Sequence, residues 1–327
     1  MRVAFLCQAD HAGNAYKAAQ AVNRVGRIQA RHITCFKHPL NFAADLVFDS
    51  VCGWRDMPPV NDGPAYDEAC EVLEQADFIH CWNDEYHDFV GWAKTPTKAF
   101  AGEFPHYPKK YRSVTFTGTW YRQHHVEINR RLHDTNVRLV VETPAFLGFE
   151  EIDSFLIPHA IDAKVLEPLP FERRHQQTIG VYPHLSTTAN SDIAHLEGVL
   201  RDYFPGWSVT CKTRVPHEEH LRRLARCHFF MQHTDCRMIS YGQSAIEAMA
   251  LGVPVFNSVC WQAKKLWPNI PIFDITPHEP SMRLALEAAL AQDYDVLSKR
   301  ARQFVLDVHD YPVVGERYTQ FFEGLCA

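Results

Sequence analysis

Tyr241-Gly242-Gln243-Ser244-Ala245-Ile246-Glu247-Ala248-Met249-Ala250-Leu251-Gly252-Val253-Pro254-Val255-Phe256-Asn257-Ser258 joins a glycine turn, a helix and a strand in one unit. Gly242 and Ser244 open the helix, and Ala245, Ile246, Met249 and Ala250 recur at three-to-four spacing on one apolar face. Gly252 and Pro254 stop it ahead of a short, buried-type strand. Glu247 falls mid-helix among small apolar residues. A carboxylate is expensive to bury there unless a partner or a ligand hydroxyl completes its hydrogen bonds. The helix begins one turn earlier with free backbone N–H groups, which suit a phosphate. Together these describe a nucleotide site, with an anion at the helix start and ribose hydroxyls at Glu247. The alternative is a surface glutamate on an amphipathic helix.

The run Glu247-Ala248-Met249-Ala250-Leu251-Gly252-Val253-Pro254-Val255 resembles the donor-nucleotide segment of family-4-like GT-B glycosyltransferases. The resemblance implies an α/β chain of two doubly wound, Rossmann-like domains facing across a cleft. It implies transfer of a sugar from a nucleoside-diphosphate sugar to a hydroxyl acceptor with retention, without a metal or a cofactor beyond the donor. Glu247 would hold the ribose, with Tyr241, Gly242, Gln243 and Ser244 completing the donor site. The family also carries a second glutamate eight positions earlier that contacts the donor sugar, where this chain reads Ile239-Ser240-Tyr241-Gly242. That glutamate is absent, and Asp235 or Gln243 is the substitute contact.

At 327 residues the chain is long enough for two domains that each bury a core. It is 46% hydrophobic and 22% charged with no low-complexity run, which marks it as globular. A net charge of −6 gives no global attraction to nucleic acid or anionic lipid. The ten cysteines include no Cys-x-x-Cys pair, so neither a disulfide framework nor a zinc knuckle is indicated. Val3 to Cys7 is too short an apolar run for a signal-peptide core or a membrane span, which predicts a cytoplasmic protein.

That same run reads as a first strand, followed by the polar turn Gln8 to Asn14 and a helix carrying Ala15, Ala18, Ala19, Val22 and Val25. In a doubly wound sheet ligands collect at the carboxyl ends of strands. Gly13 stands without the Gly-x-Gly-x-x-Gly pattern, which argues against a dinucleotide cofactor. In the resembled family this loop faces the acceptor, which makes His11, Gly13 and Asn14 acceptor candidates; the alternative is an ordinary strand-to-helix turn. A second strand spans 28 to 35, residues 36 to 63 read as irregular, and a helix over 66 to 75 precedes a strand over 77 to 83. His80 near that strand's end is a candidate to orient or deprotonate a hydroxyl, or else a hydrogen-bonded core residue.

Ser113 to Thr117 alternates as a strand, and Gly118-Thr119-Trp120-Tyr121-Arg122 resembles the His-Gly-Ser-like turn of the same enzymes, with Thr117 in place of the histidine. Gly118 joins the acceptor candidates, and Arg122 is assigned an anionic donor or acceptor group. The window 106 to 131 holds Lys109, Lys110, Arg112, Arg122, Arg130 and Arg131 against Glu127, interleaved with Tyr107, Tyr111, Trp120 and Tyr121. Such a mixture suits a phosphorylated or polymeric acceptor, including a modified base in nucleic acid. It also describes one solvated helix face with buried rings.

Phe155-Leu156-Ile157-Pro158-His159-Ala160-Ile161-Asp162 is similar to the Ile-Pro-Asn-Gly-Val-Asp connection between GT-B domains, which sets domains at 1–159 and 160–327, with C-terminal helices crossing back. Tyr182 ends the first strand of the second domain and joins the donor set. The loop after it, 183 to 190, lacks the arginine and lysine the family uses for the diphosphate. Lys212 and Arg214, at another strand end, are the substitutes. His217-Glu218-Glu219-His220 lacks the spacing of a zinc motif and reads as a helix start. Two rival functions stay open: a GT-B epimerase or phosphorylase, and a binding module that lost catalysis.

Overall fold

A near-continuous apolar run is what a parallel strand covered on both faces requires. Val3, Ala4, Phe5, Leu6 and Cys7 are all buried at the centre of β1 (Arg2–Ala9). The chain continues through α1 (Asn14–Val25), β2 (Gln29–Phe36), β3 (Leu46–Asp49), α2 (Pro64–Gln75), β4 (Phe78–Asp84) and β5 (Tyr111–Thr117). Then come α3 (Gly118–His133), β6 (Arg138–Val141) and β7 (Ser154–Leu156). After them follow β8 (His175–Val181), α4 (Thr187–Tyr203), β9 (Ser208–Thr210), α5 (His217–Leu224), β10 (Cys227–Met231), α6 (Gln243–Ala250) and β11 (Val255–Asn257). The last elements are α7 (Trp261–Leu266), β12 (Ile272–Asp274), α8 (Glu279–Leu290), α9 (Tyr294–Val308) and α10 (Tyr311–Gly324). This computed structural model describes residues 1–10, 13–36, 42–49, 64–84, 110–133, 137–147, 153–181, 187–211, 215–232, 234 and 241–326.

Two units result: Met1–Ala160 with Tyr311–Ala327, and Ile161–Asp310. The sequence division at 159/160 differs by one residue at the crossing, and α10, one of the C-terminal helices expected to cross back, packs on α1 within the first unit. That unit is a parallel sheet in the order β3-β2-β1-β4-β5-β6-β7. One face carries Leu6, Ile33, Leu73, Ile79, Phe116 and Leu139, and the other Phe5, Ala18, Val22, Val314, Tyr318 and Phe322. Two strands escape the sequence reading. β3 lies inside the stretch taken as irregular, and β7 inside the stretch taken as connection; both are too short to show a period.

The second unit is a parallel sheet in the order β12-β11-β10-β8-β9, with Ile179, Val199, Phe229, Met231, Phe256 and Leu286 in its core. The chain leaves β8 toward β9 on one side and leaves β10 toward β11 on the other. The carboxyl ends of β8 and β10 therefore flank the sheet's topological switch point, where a doubly wound fold opens its ligand crevice. Helix α6 starts there. It is buried almost all round, as a helix between a sheet and other helices must be.

The C-terminal end of α6 is held by cations, as its dipole favours. Arg174 donates to Leu251 O at 2.8 Å and to Ala225 O at 2.7 Å, while Arg302 donates to Ala250 O. Gly252 takes the left-handed conformation (φ 69°) that reverses the chain after a helix, and Val253 N donates to Ala248 O at 2.9 Å. Among the described residues no helix is long and apolar enough to cross a membrane.

Candidate functional site

Glu247 is 3% exposed, one turn inside the start of α6. Its burial is compensated from α5: His217 Nε2 lies 2.8 Å from Glu247 Oε1 and donates to it, and Gln243 Nε2 approaches the same oxygen at 3.5 Å. His217 is the first residue of α5, so its ring reaches the carboxylate from a fixed helix end. Sequence reasoning missed this partner. Its only signal was the His217 to His220 run, weighed as a zinc motif, and no pattern links it to a residue thirty positions away. His220 is also buried, and burial holds its ring below the usual histidine pKa, against the opposing pull of the Glu247 charge. Among the described residues no group of three His, Cys, Asp or Glu side chains is placed to hold a metal ion.

The start of α6 has no side-chain cap of its own. Gln232, just past β10, supplies one from outside: its Oε1 accepts from Gly242 N at 3.0 Å and from Ala245 N at 3.3 Å. The Gly242 amide expected to face a phosphate is thus engaged, because a backbone donor buried at a helix start needs an acceptor. No acceptor for the Gln243 and Ser244 amides is found among the described residues. Gln243 itself is 7% exposed, and its Oε1 is buried with no hydrogen-bond partner.

Tyr241 does not join them. Its ring is buried between Trp267, Phe304 and His309, and its hydroxyl lies 3.2 Å from His309 Nε2. This is a core anchor for the chain entering α6, so the donor role expected of the Tyr241 side chain is corrected. Tyr182, Lys212, Arg214, Asp235 and the position of the absent sugar-reading glutamate lie outside the described residues.

In the first unit the switch point lies between β1 and β4. Asp10, directly after β1, accepts from Ala15 N at 3.1 Å and Tyr16 N at 2.9 Å, which ties down the start of α1. Gly13 precedes that helix at φ 68°. Asn14 is its first residue, and Asn14 Oδ1 is buried without a partner. His11 is outside the described residues. Asp10 Oδ2 also lies 3.4 Å from His32 Nε2. Burial raises Asp10 to about 7 and lowers His32 to about 3, so between those values the contact joins two uncharged groups.

His80 takes the core position. Its ring is fully buried in β4, with Nδ1 at 2.7 Å from Ser113 Oγ and Nε2 at 2.9 Å from Thr115 Oγ1, and the rings of Phe5, Trp82, Tyr318 and Phe322 surround it. Both ring nitrogens are engaged, and burial lowers its pKa to about 3. The catalytic role expected of it is therefore corrected: it cross-links β4 to β5. Gly118 is the first residue of α3, where a turn was expected, and Arg122 lies in the same helix with its side chain outside the described set.

The basic window divides between elements. Lys110 Nζ donates to the Leu73 and Glu74 carbonyls at the end of α2. Tyr121 is fully buried, stacked on Phe116 and bonded to Asn129 Oδ1 at 2.9 Å, so it is no platform for a base. Arg130 is exposed, and residues 106–109 are outside the described set.

The buried histidines predict an acid response. A histidine near 6.5 when unfolded and near 3 when folded takes up a proton on unfolding, so its stabilising effect is complete above 6.5 and is lost as the pH falls toward 3. His32 and His80 both act in this direction. Asp10 opposes them, because its raised pKa makes the folded state the better proton binder between about 4 and 7. The first unit should therefore lose about 1.4 kcal/mol per pH unit as the pH falls from about 6.5 to about 4, two protons against one. His80→Gln is expected to flatten that slope in urea titrations run across the range. An unchanged slope in the variant would show that His80 titrates normally in the fold.

No protein-family pattern matches the chain, and no curated protein matches it. Solved structures do. Sucrose-phosphate synthase from Thermosynechococcus elongatus superposes with a TM-score of 0.61 at 15% identity, over 99% of each chain. Anabaena HepE in complex with UDP and glucose gives a TM-score of 0.62 at 11% identity, again over 99% of each. An alpha-glucosyltransferase in complex with UDP and a 13-mer DNA containing an HMU base gives 0.61 at 11% identity, over 100% of each. At these identities the likeness establishes the fold, a pair of Rossmann-like units in the GT-B order.

Proposed function

We propose that this chain transfers a sugar from a nucleoside-diphosphate sugar to a hydroxyl acceptor, with retention at the anomeric carbon. The observation that carries it is the buried Glu247 carboxylate, gripped on Oε1 by His217, one turn inside a helix that starts at the switch point of the second unit. Glu247 accepts the ribose hydroxyls. The Gln243 and Ser244 amides take the diphosphate, and the buried, unpartnered Gln243 Oε1 accepts a donor hydroxyl.

The bond from the anomeric carbon to the diphosphate oxygen breaks with its electron pair on that oxygen, the bond to the acceptor oxygen forms, and the acceptor's proton passes to the departing diphosphate. Fixed amides facing the departing diphosphate lower the barrier because they are oriented before charge develops. Holding the acceptor hydroxyl beside the anomeric carbon supplies the rest through proximity. Lys212 and Arg214 remain the proposed cationic contacts. Uridine is the base to test first, since HepE and the alpha-glucosyltransferase were each solved with UDP.

The test is thermal stability against UDP, GDP, ADP and CMP, since a ligand bound only by the folded state raises its melting temperature. Selective stabilisation by one nucleoside diphosphate is expected. A well-folded sample unmoved by all four would overturn the donor site. Release of nucleotide from the matching sugar conjugate, faster with acceptor than without, then separates a transferase from a binding module.

A further inference from the structure

Glu142 follows β6 as Asp10 follows β1, and since every strand of that sheet is parallel, both lie at its carboxyl edge. Glu142 is 4% exposed. Its Oε1 lies 2.8 Å from His159 Nδ1, while its Oε2 is buried with no hydrogen-bond partner. Thr143 Oγ1, on the next residue, is buried and unpartnered as well, and so is Asn14 Oδ1 at the start of α1. An unsatisfied buried oxygen is costly, so folded proteins leave few of them. Three at one sheet edge, from two separate segments, describe a surface prepared for a ligand.

The chemistry of the set selects that ligand. A carboxylate and an amide carbonyl only accept hydrogen bonds, and a threonine hydroxyl accepts or donates. The ligand must therefore bring donors. Asp10 is raised to about 7 chiefly by burial, against the Tyr16 and Ala15 amides and the Lys17 charge, and the negative charge of Glu142 reaches it as the smallest contribution. A phosphate or carboxylate on the ligand would bring acceptors and like charge to this edge, whereas an ammonium would bring donors and opposite charge.

We infer that the first unit binds an uncharged polyhydroxy or amine-bearing acceptor through Glu142, Thr143 and Asn14, and does not bind a phosphorylated sugar or nucleic acid there. The word acceptor rests on the transfer reading above; the binding site does not. The burial of Tyr121 agrees with it, since that removes one ring a nucleic acid would need for stacking.

Saturation-transfer NMR on the full chain, without nucleotide, decides the matter with four probes: glucosamine, glucose, glucose 6-phosphate and a DNA duplex carrying hydroxymethyluracil. Binding of glucosamine or glucose is expected, with the phosphate and the duplex weaker. Glu142→Gln should weaken glucosamine roughly tenfold, the loss of a hydrogen bond to a charged group. Asn14→Ala, at a helix start that tolerates alanine, should weaken both sugars severalfold even if the Glu142 variant folds poorly.

Tighter binding of glucose 6-phosphate or the duplex overturns the proposal. So does silence from both uncharged and amine-bearing probes, or affinity unchanged in both variants. UDP-induced stabilisation, read on the same samples, reports the donor reading separately, so loss of one does not pass for loss of the other.

Discussion

Glu247→Ala is expected to weaken UDP affinity by about 1–3 kcal/mol, roughly five- to 150-fold, while leaving a folded protein. The carboxylate is nearly inaccessible to water, so each ribose hydrogen bond it accepts is not replaced by solvent when it is lost. A complication comes from His217. Removing Glu247 strands the ring nitrogen that donates to it at 2.8 Å, and part of any loss would reflect that group.

Glu247→Gln with His217→Ala, singly and together, separates the two. If His217 acts by positioning the carboxylate, its removal should cost several-fold in affinity in wild type and little once Glu247 is already changed. Titration calorimetry with UDP is the readout. Wild-type affinity in a folded Glu247→Ala protein would remove the donor site from α6 altogether.

Gly315→Val is expected to destabilise the first unit by about 3 kcal/mol, lowering its melting temperature by roughly 6–12 °C. Gly315 lies where α10 crosses α1. A Cβ there would stand 2.0 Å from Ala21 O and 2.6 Å from Ala21 C, which are backbone atoms that no rotamer change moves. The helices must separate to accept it, and the packing of Val22, Val314, Tyr318 and Phe322 loosens with them. UDP affinity should be unchanged, since the donor residues belong to the other unit. A melting temperature within a degree or two of wild type would mean that the two helices do not approach as closely as described.

Much of the fold was legible because it is local. Apolar runs such as Val3 to Cys7, helical spacing from Ala15 to Val25, and the glycine and proline stops after Ala250 each act over a dozen residues or fewer. β3 and β7 were not legible: four and three residues hold no period, and each becomes a strand only by pairing with β2 or β6. The last helix, α10, was expected to cross back only through the family resemblance; no local pattern names its companion α1, some three hundred residues earlier.

The site divides the same way. Glu247 was conspicuous because a charge among alanines violates the apolar pattern around it. His80 was conspicuous for its position in β4, yet whether it faces a substrate or its own core depends on Ser113 and Thr115 across the strand. His217 and Gln232 were invisible, one read as a helix start and the other as a strand end.

The sequence by itself therefore determined two runs of alternating strand and helix, the switch from turn to helix at Gly242, and a carboxylate that has to be compensated once buried. Only the tertiary structure decided what compensates it, which helix the last one packs against, and which polar groups at the sheet edges are satisfied. The physical reason is range. Secondary structure follows from periodicity and turn chemistry within a few neighbours, whereas burial and hydrogen-bond partnership are set by segments that meet only when the chain is packed.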